Sequence, residues 1–378
     1  LNSPYGSSLL VLVINMYVSV EKSRYLERAK GVLRFLEHLR EIDLKQQRRS
    51  KLLRLPPFSP TYDAVLTSML NISFSGYSWK STNIDKYFLA RHQTVVEEAE
   101  QIVELMMSQP PELFFAHPRR STFHTLLKMR GRMMPHAEAG DIAEAILSRM
   151  QIRHEMTLSG TSHAPFEMAQ SVKPVGGSYG LALNCMTSSA IAKKPGAMNR
   201  ALLLLNRMEG QCMRSDSFQF DRRRTEEHRD AISGSDDESN DGARRFSVTD
   251  VVYDESVEPD VRIYTKVMEV CANTRLTSDH GEALEVAFDV YNRMIDNSVV
   301  ANEDTFAVLL LCCERLLPEV GSDLQRATLA SHVFSAACEQ NQVTDDLLQT
   351  LKRCNFRLYN SYMLQKKEKV EKRQEGKQ

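Results

Sequence analysis

The sequence lacks the features that mark membrane-spanning, secreted and β-rich proteins. Among its 378 residues the longest strongly apolar run covers only residues 9–16, whereas a transmembrane helix needs about 20 residues. Its seven cysteines show no Cys-x-x-Cys spacing, which indicates buried reduced thiols and argues against secretion. No strict apolar alternation extends beyond a few residues. We therefore expect an all-α protein without a membrane span.

Motifs for catalysis, metal binding and nucleotide binding are also missing. The glycine-rich residues 176–180 are not followed by the Lys-Ser/Thr of a phosphate-binding loop. The ten histidines form no His-Glu-x-x-His motif, and no Cys/His cluster has metal-ligand spacing. No Gly-x-Ser-x-Gly elbow marks a serine nucleophile. We expect no enzymatic activity, catalytic residue, metal, cofactor or small-molecule substrate.

Charge is balanced overall but unevenly distributed. The chain has 48 Lys+Arg and 49 Asp+Glu, a net charge of −1. Residues 233–260 contain nine acidic and two basic side chains, so this stretch carries −7 and the remaining 350 residues carry +6 (−1 minus −7). A nucleic-acid-binding protein could use this surplus, although many proteins without that role have one. The acidic stretch has little apolar surface to bury, and we expect it to be disordered.

One helical pattern recurs along the chain: an alanine, a bulky apolar residue four positions later, and Met or Leu three positions after that. This spacing places the three side chains on one stripe of a helix, and the small alanine lets a neighbouring helix approach. The copies are Ala29-Leu33-Leu36, Ala99-Val103-Met106, Ala143-Leu147-Met150, Ala201-Leu205-Met208 and Ala287-Tyr291-Met294, with the partial copy Ala330-Phe334-Ala337.

A second pattern precedes each copy: an aromatic residue that begins a short apolar helical run. The aromatic usually follows a helix-start residue such as Ser or Thr. The aromatics are Tyr5, Tyr62, Phe123, Tyr179, Tyr264 and Phe306. Each unit is therefore predicted to be a helix A led by the aromatic, a turn, and a helix B that carries the alanine stripe, which gives six helix pairs.

These two patterns resemble the pentatricopeptide-repeat family, whose helix A is led by an aromatic and whose helix B has an Ala-x-x-x-Phe-x-x-Met pattern. The best match is Glu258 to Thr265, followed by Ala287 to Met294. The resemblance covers most of the chain, with longer turns inside each pair than the family has. It implies an α-solenoid of antiparallel helix pairs, a pentatricopeptide-like or tetratricopeptide-like superhelix. A tetratricopeptide-type or other helical-hairpin solenoid, or an unrelated helical bundle, is the alternative, because any such array shows Ala, Leu and Met stripes.

Four segments follow from the repeats. Residues 1–214 are predicted to form about four units, 215–260 a disordered acidic insertion, 261–365 two or more further units, and 366–378 a charged tail. The insertion comes where the fourth unit ends, a place at which a repeat array tolerates added residues.

The resemblance further implies that the protein is located in a mitochondrion or plastid. There it would bind single-stranded RNA, an organellar transcript, with sequence selectivity. In the family, the residue after the helix-A aromatic contacts a base together with the residue that ends the repeat. Carried over residue by residue, these pairs are Asp63 with Arg119, His124 with Val175, Gly180 with Asp260, Thr265 with Asn302, and Ala307 with Thr344. Only Thr265 with Asn302 resembles a pair that the family uses, on purines. Gly180 offers no side chain.

Basic residues on the third helix A are candidates for phosphate contacts. Lys128, Arg130 and Arg132 follow the aromatic by a turn or two. Residues two apart on a helix point in different directions, whereas Lys128 and Arg132 are four apart and share a face. The predicted RNA-binding residues are therefore Asp63, His124, Lys128, Arg132, Thr265 and Asn302. The alternative function is a helical-repeat scaffold for protein partners in an organellar complex, which the near-neutral charge and the weak base-contact pairs favour.

Overall fold

The described part of the chain is helical. The computed structural model describes residues 12–17, 23–45, 58–74, 86–109, 113, 116–133, 135–158, 172–210, 257–318 and 323–375. Within these ranges there are helices and turns but no strand, as the sequence predicts. Of the predicted insertion at 215–260, only 257–260 is described, and Tyr5 also lies outside the described residues. No helix in these ranges is both long and apolar enough to cross a membrane.

The helices alternate between two kinds, which we call A-helices and B-helices. The A-helices are α1 (12–17), α3 (Ser59–Phe74), α5 (Arg120–Arg132), α7 (Gly176–Ile191), α9 (Val261–Ala272), α11 (Glu303–Leu316) and α13 (Asp345–Cys354). The B-helices are α2 (Ser23–Lys45), α4 (Lys86–Met107), α6 (Ala139–Leu158), α8 (197–210), α10 (His280–Asp296), α12 (Asp323–Glu339) and α14 (Phe356–Glu375).

The chain divides into two compact units. Unit 1 comprises Leu1–Ala197 with Asn273–Asp279, and unit 2 comprises Met198–Ala272 with His280–Gln378. In unit 1, α5 packs on the A-helices before and after it, α3 and α7, as well as on the B-helices α4 and α6. In unit 2, α11 packs in the same way on α9, α13, α10 and α12. Each A-helix in the middle of a unit is thus surrounded by its sequence neighbours.

Helix α8 belongs to unit 2 through polar contacts at its C-terminal end. Tyr264 of α9 donates a hydrogen bond to Glu209 Oε1 (2.9 Å). Arg293 of α10 forms an ion pair with the same carboxylate and donates to Asn206 Oδ1 (2.7 Å). The division between the compact units lies after Ala197, the first residue of α8, although the sequence pattern groups α8 with the N-terminal repeats.

The residues that make up the two sequence patterns lie in the core. Every alanine that begins a B-helix stripe is fully buried. The aromatics Tyr62, Phe123, Tyr179, Tyr264 and Phe306 are at most 4% exposed. Burying such a side chain stabilises the fold by roughly 1.5–3 kcal/mol, so these residues account for a large part of the packing between helices.

Local signals explain where the A-helices of unit 2 begin. Asn302 precedes α11, and its Oδ1 accepts a hydrogen bond from the Thr305 N–H (3.0 Å). Thr344 caps α13 in the same way, through the Leu347 N–H (3.3 Å). Asp260 caps α9 through the Ile263 N–H (3.0 Å). These side chains satisfy N–H groups that have no partner within the helix.

A seventh helix pair, α13 and α14, lacks both sequence patterns. Leu348 occupies the place of the aromatic and is buried. Tyr362 of α14 instead contacts Phe334 of α12, with ring centroids 5.1 Å apart. Helix α14 continues to Glu375, so most of the predicted charged tail at 366–378 is the last part of a helix.

A matched pair of alanines tests whether the B-helix stripe packs as described. Ala143 of α6 is fully buried, whereas Ala145 on the same helix is exposed. Ala143→Leu overpacks the core and should lower the free energy of unfolding by about 1 to 3 kcal/mol, measured by urea denaturation. Ala145→Leu should leave it nearly unchanged. Equal effects of the two substitutions would contradict the assignment of the stripe.

Candidate nucleic-acid interface

The predicted base-contact residues occupy one defined position in the A-helices. Counted from the first residue of each helix, the buried aromatic is the fourth residue and the predicted contact residue is the fifth. Successive residues of an α-helix are rotated by about 100°. With the fourth residue pointing into the core, the third and fifth residues flank it on opposite sides. We call the fifth-position residues Asp63, His124, Gly180, Thr265 and Ala307 the A-edge.

Asp63 of α3 bonds to the start of the next A-helix in unit 1. Its Oδ1 accepts a hydrogen bond from the hydroxyl of Thr122, the third residue of α5 (2.5 Å). Its Oδ2 accepts one from Ser121 (2.5 Å). Thr122 Oγ1 also accepts from the backbone N–H of Arg119, the residue before α5 (3.0 Å). The Thr122 hydroxyl thus joins Asp63 to the N-terminus of α5.

His124 of α5 repeats this arrangement with α7. Its Nε2 lies 2.7 Å from the hydroxyl of Ser178, the third residue of α7. Ser178 Oγ also accepts from the backbone N–H of Val175 (3.1 Å). Burial, together with the positive charges of Arg120 and Lys128, lowers the pKa of His124 from 6.5 to about 4. His124 is therefore neutral at pH 7.

Thr265 of α9 repeats it again in unit 2. Its hydroxyl lies 2.9 Å from that of Thr305, the third residue of α11. Thr305 in turn donates to Asn302 Oδ1 (2.8 Å). Thr265 is only 8% exposed, whereas Asn302 is half-buried. One hydroxyl therefore connects the two residues of the predicted pair Thr265 with Asn302.

Three predicted pairs are linked in this way. A third-position hydroxyl lies between Asp63 and Arg119, between His124 and Val175, and between Thr265 and Asn302. The other two pairs differ. Gly180 and Ala307 have no polar side-chain atom, and the next A-helices carry Ile263 and Leu347 at the third position.

Lys128 and Arg132 are both exposed on α5. Arg130 lies between them in sequence but is 4% exposed, and it donates two hydrogen bonds to Glu100 Oε1 of α4 (3.0 and 2.5 Å). Lys128 and Arg132, which are four residues apart, are thus exposed, whereas Arg130 between them is buried. Arg120, one turn before His124, donates to the Lys173 carbonyl (2.8 Å).

Some basic residues on the A-helices of unit 2 form ion pairs with carboxylates. Lys266 forms an ion pair with Glu269 (3.3 Å), and Arg353 forms one with Glu314 of α11 (3.4 Å). Arg262 pairs with Asp260 (3.0 Å). Both basic residues of α9 therefore have acidic partners, whereas Lys128 and Arg132 are exposed on α5.

The sequence pattern predicts the third-position hydroxyls only as helix-start residues. Their signal is a Ser or Thr directly before the aromatic, as in Thr122, Ser178 and Thr305. Within the described ranges, no group of three or more His, Cys, Asp or Glu side chains could hold a metal ion. Comparison with known proteins gives no matching family model and no match among curated proteins.

The neutral state of His124 predicts a pH dependence of stability. Since its pKa is about 4 in the folded protein and 6.5 in the unfolded one, its contribution is complete above pH 6.5 and decreases as the pH falls towards 4. His124→Gln removes this titration. The free energy of unfolding, measured by urea denaturation from pH 7 to pH 4, should therefore fall less in the variant than in the wild type.

A second histidine substitution controls for loss of an imidazole. His332 is exposed on α12, and His332→Gln should retain the pH dependence of the wild type. The pKa of His136 is also lowered by burial, so part of the dependence should remain in every variant. The same pH dependence for His124→Gln and the wild type would show that His124 is not held neutral.

Proposed function

We propose that this chain is an α-solenoid of the pentatricopeptide type that binds single-stranded RNA along its A-edge, as a sequence-selective factor for an organellar transcript. Its place would be a mitochondrion or plastid, where the proposed family acts. The observation that carries the proposal is the hydroxyl link between Asp63 and Arg119, His124 and Val175, and Thr265 and Asn302. These are the residues that the family resemblance pairs.

Phosphate binding is assigned to α5. Lys128 and Arg132 are exposed, four residues apart, and on the same helix as His124. Because His124 is neutral, it adds no positive charge to that of Arg120, Lys128 and Arg132 on the same helix. Two exposed cations at this spacing are suited to contact phosphates of an extended strand, and such contacts supply affinity that does not depend on base sequence.

Base discrimination is assigned to Thr265 and Asn302. The Asn302 carboxamide uses its Oδ1 for the Thr305 N–H and hydroxyl, so its Nδ2 donors take no part in the cap. The hydroxyl oxygen of Thr265 lies near this carboxamide, because both bond to the Thr305 hydroxyl. A donor and an acceptor side by side match the edge of one base.

Reversing the charge of the two cations tests the phosphate contacts. Lys128→Glu with Arg132→Glu should weaken binding to every RNA sequence tested. Because each phosphate contact on a single strand contributes a slope of about 0.7 to the dependence of log affinity on log salt, this slope should become smaller by about 1.4. Fluorescence anisotropy with labelled single-stranded RNA at several salt concentrations measures both effects.

The control has the same charge change and spacing on a B-helix of the same unit. Arg24 and Arg28 are exposed on α2 and also four residues apart. Arg24→Glu with Arg28→Glu should keep the salt slope of the wild type. An equal loss of affinity for both double variants would mean that only net charge matters, and it would contradict a phosphate site on α5.

One substitution at the Asn302 cap tests base discrimination. Asn302→Asp keeps the cap oxygen for Thr305, because Asp and Asn are similarly good at this position, but it replaces the amide donors with an acceptor. Selection from a randomised RNA pool should then show a changed preference at one base position with unchanged protein stability. Asn292→Asp, at an exposed site on α10, should leave the selected sequences as they are.

A second candidate function is a scaffold for protein partners. It is favoured by α11, where Ala307, Val308 and Leu311 are half-exposed apolar residues, and by the acidic partners of the basic residues nearby. An apolar protein interface changes little with salt, whereas RNA binding weakens steeply. If neither the Lys128/Arg132 change nor the Asn302 change affects RNA binding, the scaffold function is the better one.

A further inference from the structure

We propose that the third-position hydroxyls Thr122, Ser178 and Thr305 are positioning residues: Ser178 and Thr305 fix whether their A-edge side chain offers a hydrogen-bond donor or an acceptor, and Thr122 holds the Asp63 carboxylate in place. A hydroxyl has one proton to donate and two lone pairs to accept with. Where that single proton goes decides the direction of the bond to the A-edge. The other partners of each hydroxyl determine where its proton goes.

Ser178 donates its proton to His124. It is fully buried, and one of its lone pairs accepts the Val175 N–H. Its remaining partner is His124 Nε2 at 2.7 Å. A buried hydroxyl rarely leaves its proton without an acceptor, so Nε2 must be the acceptor and the ring proton must reside on Nδ1. His124, neutral beside Arg120 and Lys128, then carries an Nδ1–H donor.

Thr305 has the opposite effect on Thr265. Its proton goes to Asn302 Oδ1 (2.8 Å), since an amide oxygen cannot donate. The hydroxyl of Thr265, 2.9 Å away, must therefore donate to Thr305. Thr265 keeps its lone pairs and becomes an acceptor. Asp63 is an acceptor by its chemistry, and the hydroxyls of Thr122 and Ser121 hold its two oxygens in place.

Helix capping alone does not explain these hydroxyls. Helix α9 begins without one, because its third residue is Ile263 and Asp260 caps the helix instead. The hydroxyl is present after each polar A-edge residue (Asp63, His124 and Thr265), and it is absent after Gly180 and Ala307. Thr61 of α3 also precedes its aromatic, although the residue after Tyr5 is Gly6, so such a hydroxyl also occurs without a polar A-edge partner. Thr122, Ser178 and Thr305 therefore serve the helix start and, in addition, bond to an A-edge side chain.

The proposal also specifies what the A-edge offers to RNA, and that part rests on the proposed function. Asp63 and Thr265 would accept hydrogen bonds from base amino or imino groups. His124 would donate one to a base nitrogen or carbonyl oxygen. Gly180 and Ala307 would make no polar contact, so bases at these two places should not be discriminated.

The tautomer of His124 tests the positioning role without any RNA. The full chain is labelled with ¹⁵N-histidine, and the imidazole nitrogens are observed by NMR at pH 7, with His124 identified by its loss in His124→Gln. We expect the Nδ1–H tautomer in the wild type. Ser178→Ala removes the donor and should move His124 towards the Nε2–H tautomer that free histidine prefers. Ser178→Thr retains a hydroxyl and should restore the Nδ1–H tautomer.

The wild-type spectrum is decisive even if Ser178→Ala fails to fold. An Nε2–H tautomer in the wild type would overturn the proposal, as would an unchanged tautomer in folded Ser178→Ala. Selection from a randomised RNA pool then tests recognition. Ser178→Ala should change the preference at one base position and keep the salt slope, because the phosphate contacts of α5 remain.

The two proposals fail in different ways. If the wild type binds no RNA, the proposed function is wrong, while an Nδ1–H tautomer that depends on Ser178 still supports the positioning role. If RNA binds and the tautomer changes in Ser178→Ala but the selected sequences do not, the hydroxyl orients His124 without affecting recognition, and the RNA part of this inference is overturned.

Discussion

Burial of the aromatic at the fourth position of the A-helices α3, α5, α7, α9 and α11 is the constraint on which the rest of the structure depends. Phe123, with 1% of its surface exposed, fixes the rotation of α5 about its axis. The third and fifth residues must then lie on either side of it, because each residue turns the helix by about 100°. Thr122 consequently bonds back to Asp63 of α3, and His124 bonds forward to Ser178 of α7.

The same rotation separates the charges of α5. Arg130 is directed towards α4, where Glu100 neutralises it, whereas Lys128 and Arg132 are exposed. Glu98 and Glu104 of α4 bind Lys30 of α2 and Arg149 of α6. Burial alone lowers the pKa of Lys30, but its hydrogen bonds to Glu27 and Glu98 raise it overall. Helix α4 thus holds basic residues of three neighbouring helices.

The A-edge combines structural and proposed recognition roles in the same side chains. A fifth-position residue that bonds to the next A-helix loses rotational freedom before any ligand binds. Pre-organisation of this kind lowers the entropic cost of binding. It also restricts what the residue can recognise, because the proton of the neighbouring hydroxyl is already donated to an acceptor within the protein. Thr305 and Ser178 both accept the backbone N–H of the residue before their helix, but Thr305 also has an acceptor for its own proton in Asn302 Oδ1, which is why Thr265 and His124 differ in this respect.

By itself, the sequence determined the helical class, the alternation of A-helices and B-helices, and the buried alanines and aromatics, since these depend on periodicity along the chain. It also indicated that Lys128 and Arg132 share a face. The seventh helix pair is not among the six that the patterns predict, because it lacks both patterns and Leu348 replaces the aromatic. The hydroxyl links of Thr122, Ser178 and Thr305 and the neutral state of His124 were decided only by the tertiary structure. Each depends on distances of about 2.5 to 3 Å between residues 40 or more positions apart, and periodicity within one helix carries no information about such distances.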